Sequence, residues 1–289
     1  MLKNKQIEIF TTVETLQVRL NELRNEGNTI GFTPTLGALH EGHASLFKKS
    51  IKENDISVCS IFVNPTQFNV KSDLDKYPRT IKSDTKLLQK VACNILFLPS
   101  TKEIYPKGTS KSVKVNLDGL DKLLEGAFRP GHFDGVVQVV HRLLEIVHPD
   151  HLYMGQKDFQ QFTIIQKMID ELKLKTKLVV CPIKREKDGL AMSSRNVRLT
   201  KINRKRATIL HDTLQFAKAK YKEFSPTELS NYAKNKLNIE DFKMEYFKFI
   251  DGHTLQELKT FKGKKYIVAV TAVWSGEIRL IDNMILYKA

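Results

Sequence analysis

The chain has 289 residues, enough for a substantial core in one large domain or two. Its 47 Lys and Arg against 32 Asp and Glu give a formal net charge of +15, which fits either a nucleic-acid binder or an enzyme of anionic substrates with a lysine-rich surface. No arginine-rich arm or nucleic-acid module appears, and no apolar run approaches a membrane span, so the enzyme reading leads.

In chain order, Thr29 to Phe32 reads as a buried strand and Ala44 to Ile51 as a helix. Ile56 to Val63 is β-branched and nearly all apolar, a central strand. Thr80 to Val91 follows as a helix, and Asn94 to Leu98 as a strand closed by Pro99. Phe133 to Val147 carries apolar residues at helical spacing, His151 to Met154 is a short strand, Asp158 to Leu172 a helix and Leu178 to Ile183 a strand. This alternation predicts an α/β fold with a parallel sheet covered on both faces, its ligands beyond the carboxyl ends of the strands. The last third changes character. Ile202 to Phe224 and Thr227 to Leu237 read as helices, and Glu245 to Ile250, Tyr266 to Trp274 and Ile278 to Leu286 as strands, with a turn at Ser275-Gly276. The expected organisation is therefore a domain over 1–184 and a smaller C-terminal α+β domain over 185–289. Cys59, Cys93 and Cys181 are far apart, odd in number and embedded in apolar runs, which predicts buried thiols in a reducing compartment. The first ten residues lack a secretory apolar core, and a cytoplasmic protein is expected.

The run Thr33 to His43 places two histidines, His40 and His43, where a strand turns into a helix. Backbone N–H groups and the helix dipole favour phosphate at such a junction, and residues three apart share a helix face. Zinc is the rival, but the metalloprotease motif needs its histidines four apart. Gly37 and Gly42 let the backbone approach a ligand. After the Ile56–Val63 strand come Asn64 and Gln67, amides suited to hydroxyl and carboxylate groups; for Asn64, turn chemistry is an equal reading. After the His151 strand come Lys157, a compact point charge for phosphate, and Asp158, placed to cap the next helix, with Gln161 one turn on. The loop Asp188 to Asn196 brings Ser193, Ser194 and Arg195, donors fit for a triphosphate, although a polar linker has similar composition.

Six segments together resemble the pantoate–β-alanine ligase family: Pro34 to His43, Phe62 to Phe68, Tyr77 to Thr80, Arg129 to Phe133, Lys157-Asp158 with Gln161, and Gly189 to Asn196. They occur in family order. The resemblance implies a Rossmann-like nucleotidyltransferase domain related to the class I aminoacyl-tRNA synthetases. It implies a two-step reaction, in which pantoate attacks the α-phosphate of ATP and the pantoyl adenylate is then taken by the amine of β-alanine. Carried onto this chain, Leu36, Gly37, Ala38, Leu39, His40, Glu41, Gly42 and His43 would meet the nucleotide, with His43 in a proton-donor position. Gly155, Gln156, Lys157, Asp158, Lys184 and Met192 would also contact it, and Lys157, Ser193, Ser194 and Arg195 would hold the triphosphate. Gln67 and Gln161 would bind pantoate, with Asn64 and Arg129 as secondary candidates, and Asp84 would lie near Mg²⁺. A homodimer is implied too. Leu36 replaces the family's usual Met, Gln156 its Glu, and Lys184 an apolar residue. The nearest rival is another nucleotidyltransferase, acting on a small alcohol phosphate, which would need the histidines but not the glutamine pair.

Overall fold

The computed structural model describes residues 6–68, 74–108 and 113–289. Contacts divide the chain into two compact units: 1–155 with 160–181, and 156–159 with 182–289. The sequence expectation kept 156–159 with the first domain; a four-residue excursion has no compositional mark.

The first unit is built on a six-stranded parallel sheet of order β1-β4-β3-β2-β5-β6. Its strands are β1 (Glu8–Phe10), β2 (Ile30–Thr35), β3 (Ile56–Ile61), β4 (Ile95–Phe97), β5 (His151–Gly155) and β6 (Lys177–Cys181). Its helices include α1 (Val13–Asn25), α2 (Glu41–Glu53), α3 (Ile81–Lys90), α4 (His132–Val147) and α5 (Phe159–Glu171), whose first residue falls in the second unit. Ile30, Phe32, Val58 and Cys59 are fully buried, as central parallel strands require. Strand order reverses at β2, which pairs with β3 on one side and β5 on the other. Such a reversal opens a ligand crevice beyond the strands' carboxyl ends, and the loop leaving β2 carries the histidines.

The sequence reading did not include β1 and α1. β1 has three residues, too few for alternation to register. α1 buries the narrow stripe Leu16, Leu20 and Leu23 on a helix that is polar elsewhere except at Val13 and Val18, capped by Thr12.

The second unit is an antiparallel sheet of order β7-β8-β9, formed by β7 (Phe242–Asp251), β8 (Tyr266–Ser275) and β9 (Ile278–Lys288). Helices α6 (Ile209–Lys220) and α7 (Pro226–Leu237) pack on it through Leu210, Leu214, Leu229 and Leu237 against Phe247 and Phe249. The expected turn at Ser275-Gly276 joins β8 to β9, with Gly276 at φ 56°. The single helix expected over 202–224 is two, Lys201–Arg206 and α6, with no Pro or Gly at the break.

Candidate active site

The loop between β2 and α2 is held from within. Gly37 (φ 84°) and Ala38 (φ 50°) are both left-handed, which turns successive backbone N–H groups inward. An anion occupies that concavity, and it is the protein's own. Asp84 on α3, 1% exposed, accepts from the Ala38 N–H (3.0 Å), the Leu39 N–H (2.9 Å) and the Thr80 hydroxyl (3.0 Å). Two backbone donors that the sequence reading offered to phosphate are therefore engaged already. Three donors engage most of the roughly four lone-pair sites of this buried carboxylate. Among the described residues no three His, Cys, Asp or Glu side chains are grouped as a metal ion would require.

The start of α2 is capped by its histidines. His40 is the N-cap residue, and its Nδ1 accepts from the Gly42 N–H at 3.1 Å. His43, three residues on, accepts the His40 N–H at its own Nδ1, at 3.3 Å. The pair reproduces a capping box with imidazole nitrogens in place of carboxylate and hydroxyl oxygens. The rings lie 4.1 Å apart and tilted by 43°. Glu41 is exposed, with its carboxylate 3.9 and 3.8 Å from the ammonium groups of Lys48 and Lys90. Leu36 is half-buried.

Past β3, Asn64 is fully buried and its amide is saturated. Its Oδ1 accepts from the Thr66 and Tyr105 hydroxyls (3.1 and 2.9 Å), and its Nδ2 donates to Gln67 Oε1 (3.2 Å) and the Gly135 carbonyl (3.1 Å). Asn64 thus organises the turn and its contact with α4, as the turn reading of this residue expects. It also fixes the amide of Gln67, whose Oε1 is taken and whose Nε2 donors have no partner among the described residues. Gly135 allows α4 to press against this turn, because a Cβ there would stand 2.4 Å from the Thr66 carbonyl oxygen. His132 at the start of α4 is a residue that sequence reasoning missed as a functional side chain, although it lies inside the Arg129–Phe133 motif. Its Nε2 meets the Arg129 guanidinium at 3.1 Å and its Nδ1 meets the Gln67 carbonyl at 2.7 Å. The guanidinium can only donate, so His132 donates Nδ1–H to Gln67. Gln161 on α5 is half-buried, and its side-chain amide has no partner among the described residues.

The second unit gathers a different set. A small cavity is lined by Lys157, Ser193, Asn196 and Asp282 together with Leu190 and Leu280. The Lys157 ammonium has no partner among the described residues. Its backbone is anchored instead: Asn283 on β9 donates to the carbonyls of Gln156 (3.0 Å) and Lys157 (2.9 Å), and accepts from the Gln156 amide (3.1 Å). The neighbouring Asp282 holds Arg185 through two hydrogen bonds of 2.6 and 3.0 Å, and Arg185 donates to the Gly189 carbonyl (3.1 Å). The loop then closes on itself. The Met192 N–H bonds the Lys184 carbonyl (3.0 Å), Ser193 Oγ accepts from the Arg195 N–H (3.3 Å), and Asn196 donates to the Ala191 carbonyl (3.0 Å). Ser194 and Arg195 are half-buried in this loop. Asp158 is exposed and makes no side-chain hydrogen bond among the described residues, so the expected cap is not formed. Asp282 and Asn283 carried no motif. Their one signal is a buried polar pair inside an apolar strand.

Comparison with known proteins bears on the chain as a whole. The family model described as pantoate-beta-alanine ligase matches residues 8–285. A pantothenate synthetase of Azobacteroides pseudotrichonymphae is 48% identical over 280 residues, covering 96% of this chain and 99% of the relative. One from Bacteroides thetaiotaomicron is 44% identical, covering 98% and 99%. Among solved structures, the pantothenate synthetase of Thermus thermophilus superposes with a TM-score of 0.91 at 36% identity, covering 97% of this chain and all of that one. The Francisella tularensis pantoate-beta-alanine ligase, complexed with beta-gamma ATP and beta-alanine, gives 0.81 at 35% identity, covering 97% and 98%.

Proposed function

The chain belongs to the pantoate–β-alanine ligase family, and on that footing we propose that it joins pantoate to β-alanine at the expense of ATP. The observation that carries the reading is the span of the match, which runs through both units instead of stopping at a nucleotide-binding core.

In the first step a pantoate carboxylate oxygen attacks the α-phosphate. The bond to the bridging oxygen breaks and pyrophosphate leaves with its electrons, giving pantoyl adenylate. In the second, the β-alanine amine attacks the acyl carbon and AMP departs. Gln67 suits pantoate: with its Oε1 held by Asn64, it offers Nε2 donors to a carboxylate or hydroxyl. Gln161 takes the other polar end, and together they hold the nucleophile in line. Arg129 serves this site through His132. Lys157, Ser193, Ser194 and Arg195 hold phosphate oxygens, as do His40 and His43, so the chain's contribution to phosphoryl transfer is positioning and charge stabilisation. The backbone of 155–158 and of Lys184 and Met192 contacts the nucleotide. Mg²⁺ accompanies ATP and neutralises phosphate charge, and no side chain of this chain is assigned as its ligand. A homodimer in the cytoplasm completes the reading; three buried thiols agree with a reducing compartment.

A drop-out assay by mass spectrometry tests this. Mg-ATP, pantoate and β-alanine together should give pantothenate and AMP, and omission of β-alanine should leave pantoyl adenylate. ATP binding without product, with phosphorylated alcohols turned over instead, would install the rival nucleotidyltransferase.

A further inference from the structure

We infer that the reciprocal cap at the start of α2 locks His40 and His43 as neutral imidazoles protonated on Nε2, so that both act as fixed hydrogen-bond donors and neither transfers a proton. The donor role rests on the phosphate-site reading above; the tautomers do not.

A backbone N–H can only donate. The Gly42 N–H points at His40 Nδ1 and the His40 N–H at His43 Nδ1, at 3.1 and 3.3 Å. Each Nδ1 must therefore present a lone pair, and a neutral ring then carries its hydrogen on Nε2. A second proton on either ring would set N–H against N–H and undo the cap. It would also place positive charge at the positive end of a 13-residue helix, with the other ring 4.1 Å away. Glu41, the carboxylate between them in sequence, lies with Lys48 and Lys90 instead. An imidazole suits an N-cap because its Nδ1 stands one bond from Cγ, as the amide oxygen of the common Asn cap does.

The chemistry agrees with a donor that keeps its proton. When pantoate attacks the α-phosphate, a carboxylate is the nucleophile and pyrophosphate leaves as an anion, so the step needs no proton. In the second step the amine must lose one, but each histidine has its Nδ1 occupied and its Nε2 protonated, so neither is the base. What remains for His40 and His43 is a pair of pre-oriented Nε2–H groups, which stabilise charge without reorganising. The proton-donor position that the family resemblance gives His43 becomes a hydrogen-bond donor position.

Two-bond 15N–1H correlation on the full-length protein with 15N-labelled histidine tests this, with His40→Asn and His43→Asn assigning the resonances. Both rings should be Nε2–H tautomers at neutral pH before any ligand is added. An Nδ1–H or doubly protonated ring at either position overturns the inference. Addition of a Mg²⁺-loaded, β,γ-nonhydrolysable ATP analogue should then move the Nε2 resonances with the tautomers unchanged. Correct tautomers with unmoved Nε2 resonances would overturn the donor role, and with it the assignment of these histidines to phosphate.

A kinetic split gives a second reading. In the pantoate-dependent release of pyrophosphate, His43→Asn keeps the cap acceptor and loses the outer donor, and kcat should fall by about 10²-fold. His43→Gln restores an N–H near the Nε2 position and should recover at least about tenfold of that loss. Equal loss in the two variants would overturn the donor role of the His43 Nε2–H.

Discussion

Two loops carry the polar groups assigned to ATP, and they are stabilised in opposite ways. The loop from Leu36 to His43 is a local device: its histidines cap each other within four residues, and one carboxylate, Asp84, fills its backbone concavity. The segments around Lys157 and Ser193 lean on β9, where Asn283 stands 126 residues from Lys157 and Asp282 stands 97 from Arg185. The first loop gives its backbone donors to the protein and presents side chains. In the second the backbone is anchored, and the Lys157 ammonium has no partner among the described residues. The lesson is that a glycine-rich strand-to-helix turn is not by itself a phosphate cradle. An internal anion can take the cradle.

The largest expected effect tests the local loop. In Asp84→Asn the amide has one acceptor oxygen where the carboxylate had two, so an NH2 faces one of the Ala38 and Leu39 N–H groups. A buried donor left unmatched costs about 1–3 kcal/mol. Displacement of the histidines by an ångström should lower adenylate formation by about 10²-fold. Chemical denaturation and pyrophosphate release measured side by side would check both. A variant with wild-type rates would show that Asp84 does not set this loop.

A smaller effect is expected at the remote anchor. Asn283→Ala removes two bonds to the 156–157 backbone and leaves the Asp282–Arg185 pair in place. Since the Lys157 side chain is untouched, kcat should hold while the KM for ATP rises by roughly tenfold, the equivalent of one ordinary hydrogen bond. An unchanged KM would separate Lys157 from β9. A collapse of kcat would make Asn283 more than an anchor.

The contrast between the loops also accounts for what could be read in the sequence. The alternating strands and helices of the sheet were legible because hydrophobic periodicity is local, and α4 buries nearly every face of its apolar run. The histidine pair, Gln67, Lys157 and the Ser193–Arg195 run were legible as polar groups after strands. Their protein partners were not. Asn64 looked like a ligand residue because an amide that organises a turn and one that binds substrate are the same residue type. Asp84 lies on α3, and nothing in its spacing points to Ala38, although Thr80 four residues earlier is the local half of the arrangement. Asp282 and Asn283 needed the sheet register before their neighbours could be known.

A pH effect should separate the two regions further. His211 on α6 stands with Gly189 behind the Ser193 loop, and its imidazole titrates below its ordinary 6.5, first because burial disfavours the cation and then because Arg185 is near. A folded-state value below the unfolded one means that the unfolded chain takes up the proton more readily. The contribution is therefore present above about pH 6.5 and lost as the pH falls below it. Denaturation followed at Trp274, the chain's one tryptophan, should show a modest decline between pH 7 and 5. His211→Asn should flatten the part of the decline that comes from this ring, and an identical slope would remove it from the account.

The smallest effect is an expected silence, and it makes the comparison measurable. All three cysteines lie in the first unit and are buried there. Burial pushes the Cys181 thiol up to about 11 and Cys93 up to about 12, and raises Cys59 well above its ordinary value. Since the thiolate is the reactive form, native protein at neutral pH should resist a thiol reagent. Labelling in denaturant then reports opening of the first unit, while Trp274 reports the second. Asp84→Asn should move the labelling midpoint more than the fluorescence midpoint, and Asn283→Ala should do the reverse. If both variants shift both probes equally, the two units unfold as one, and the division between a locally held loop and a remotely held one has no separate energetic expression.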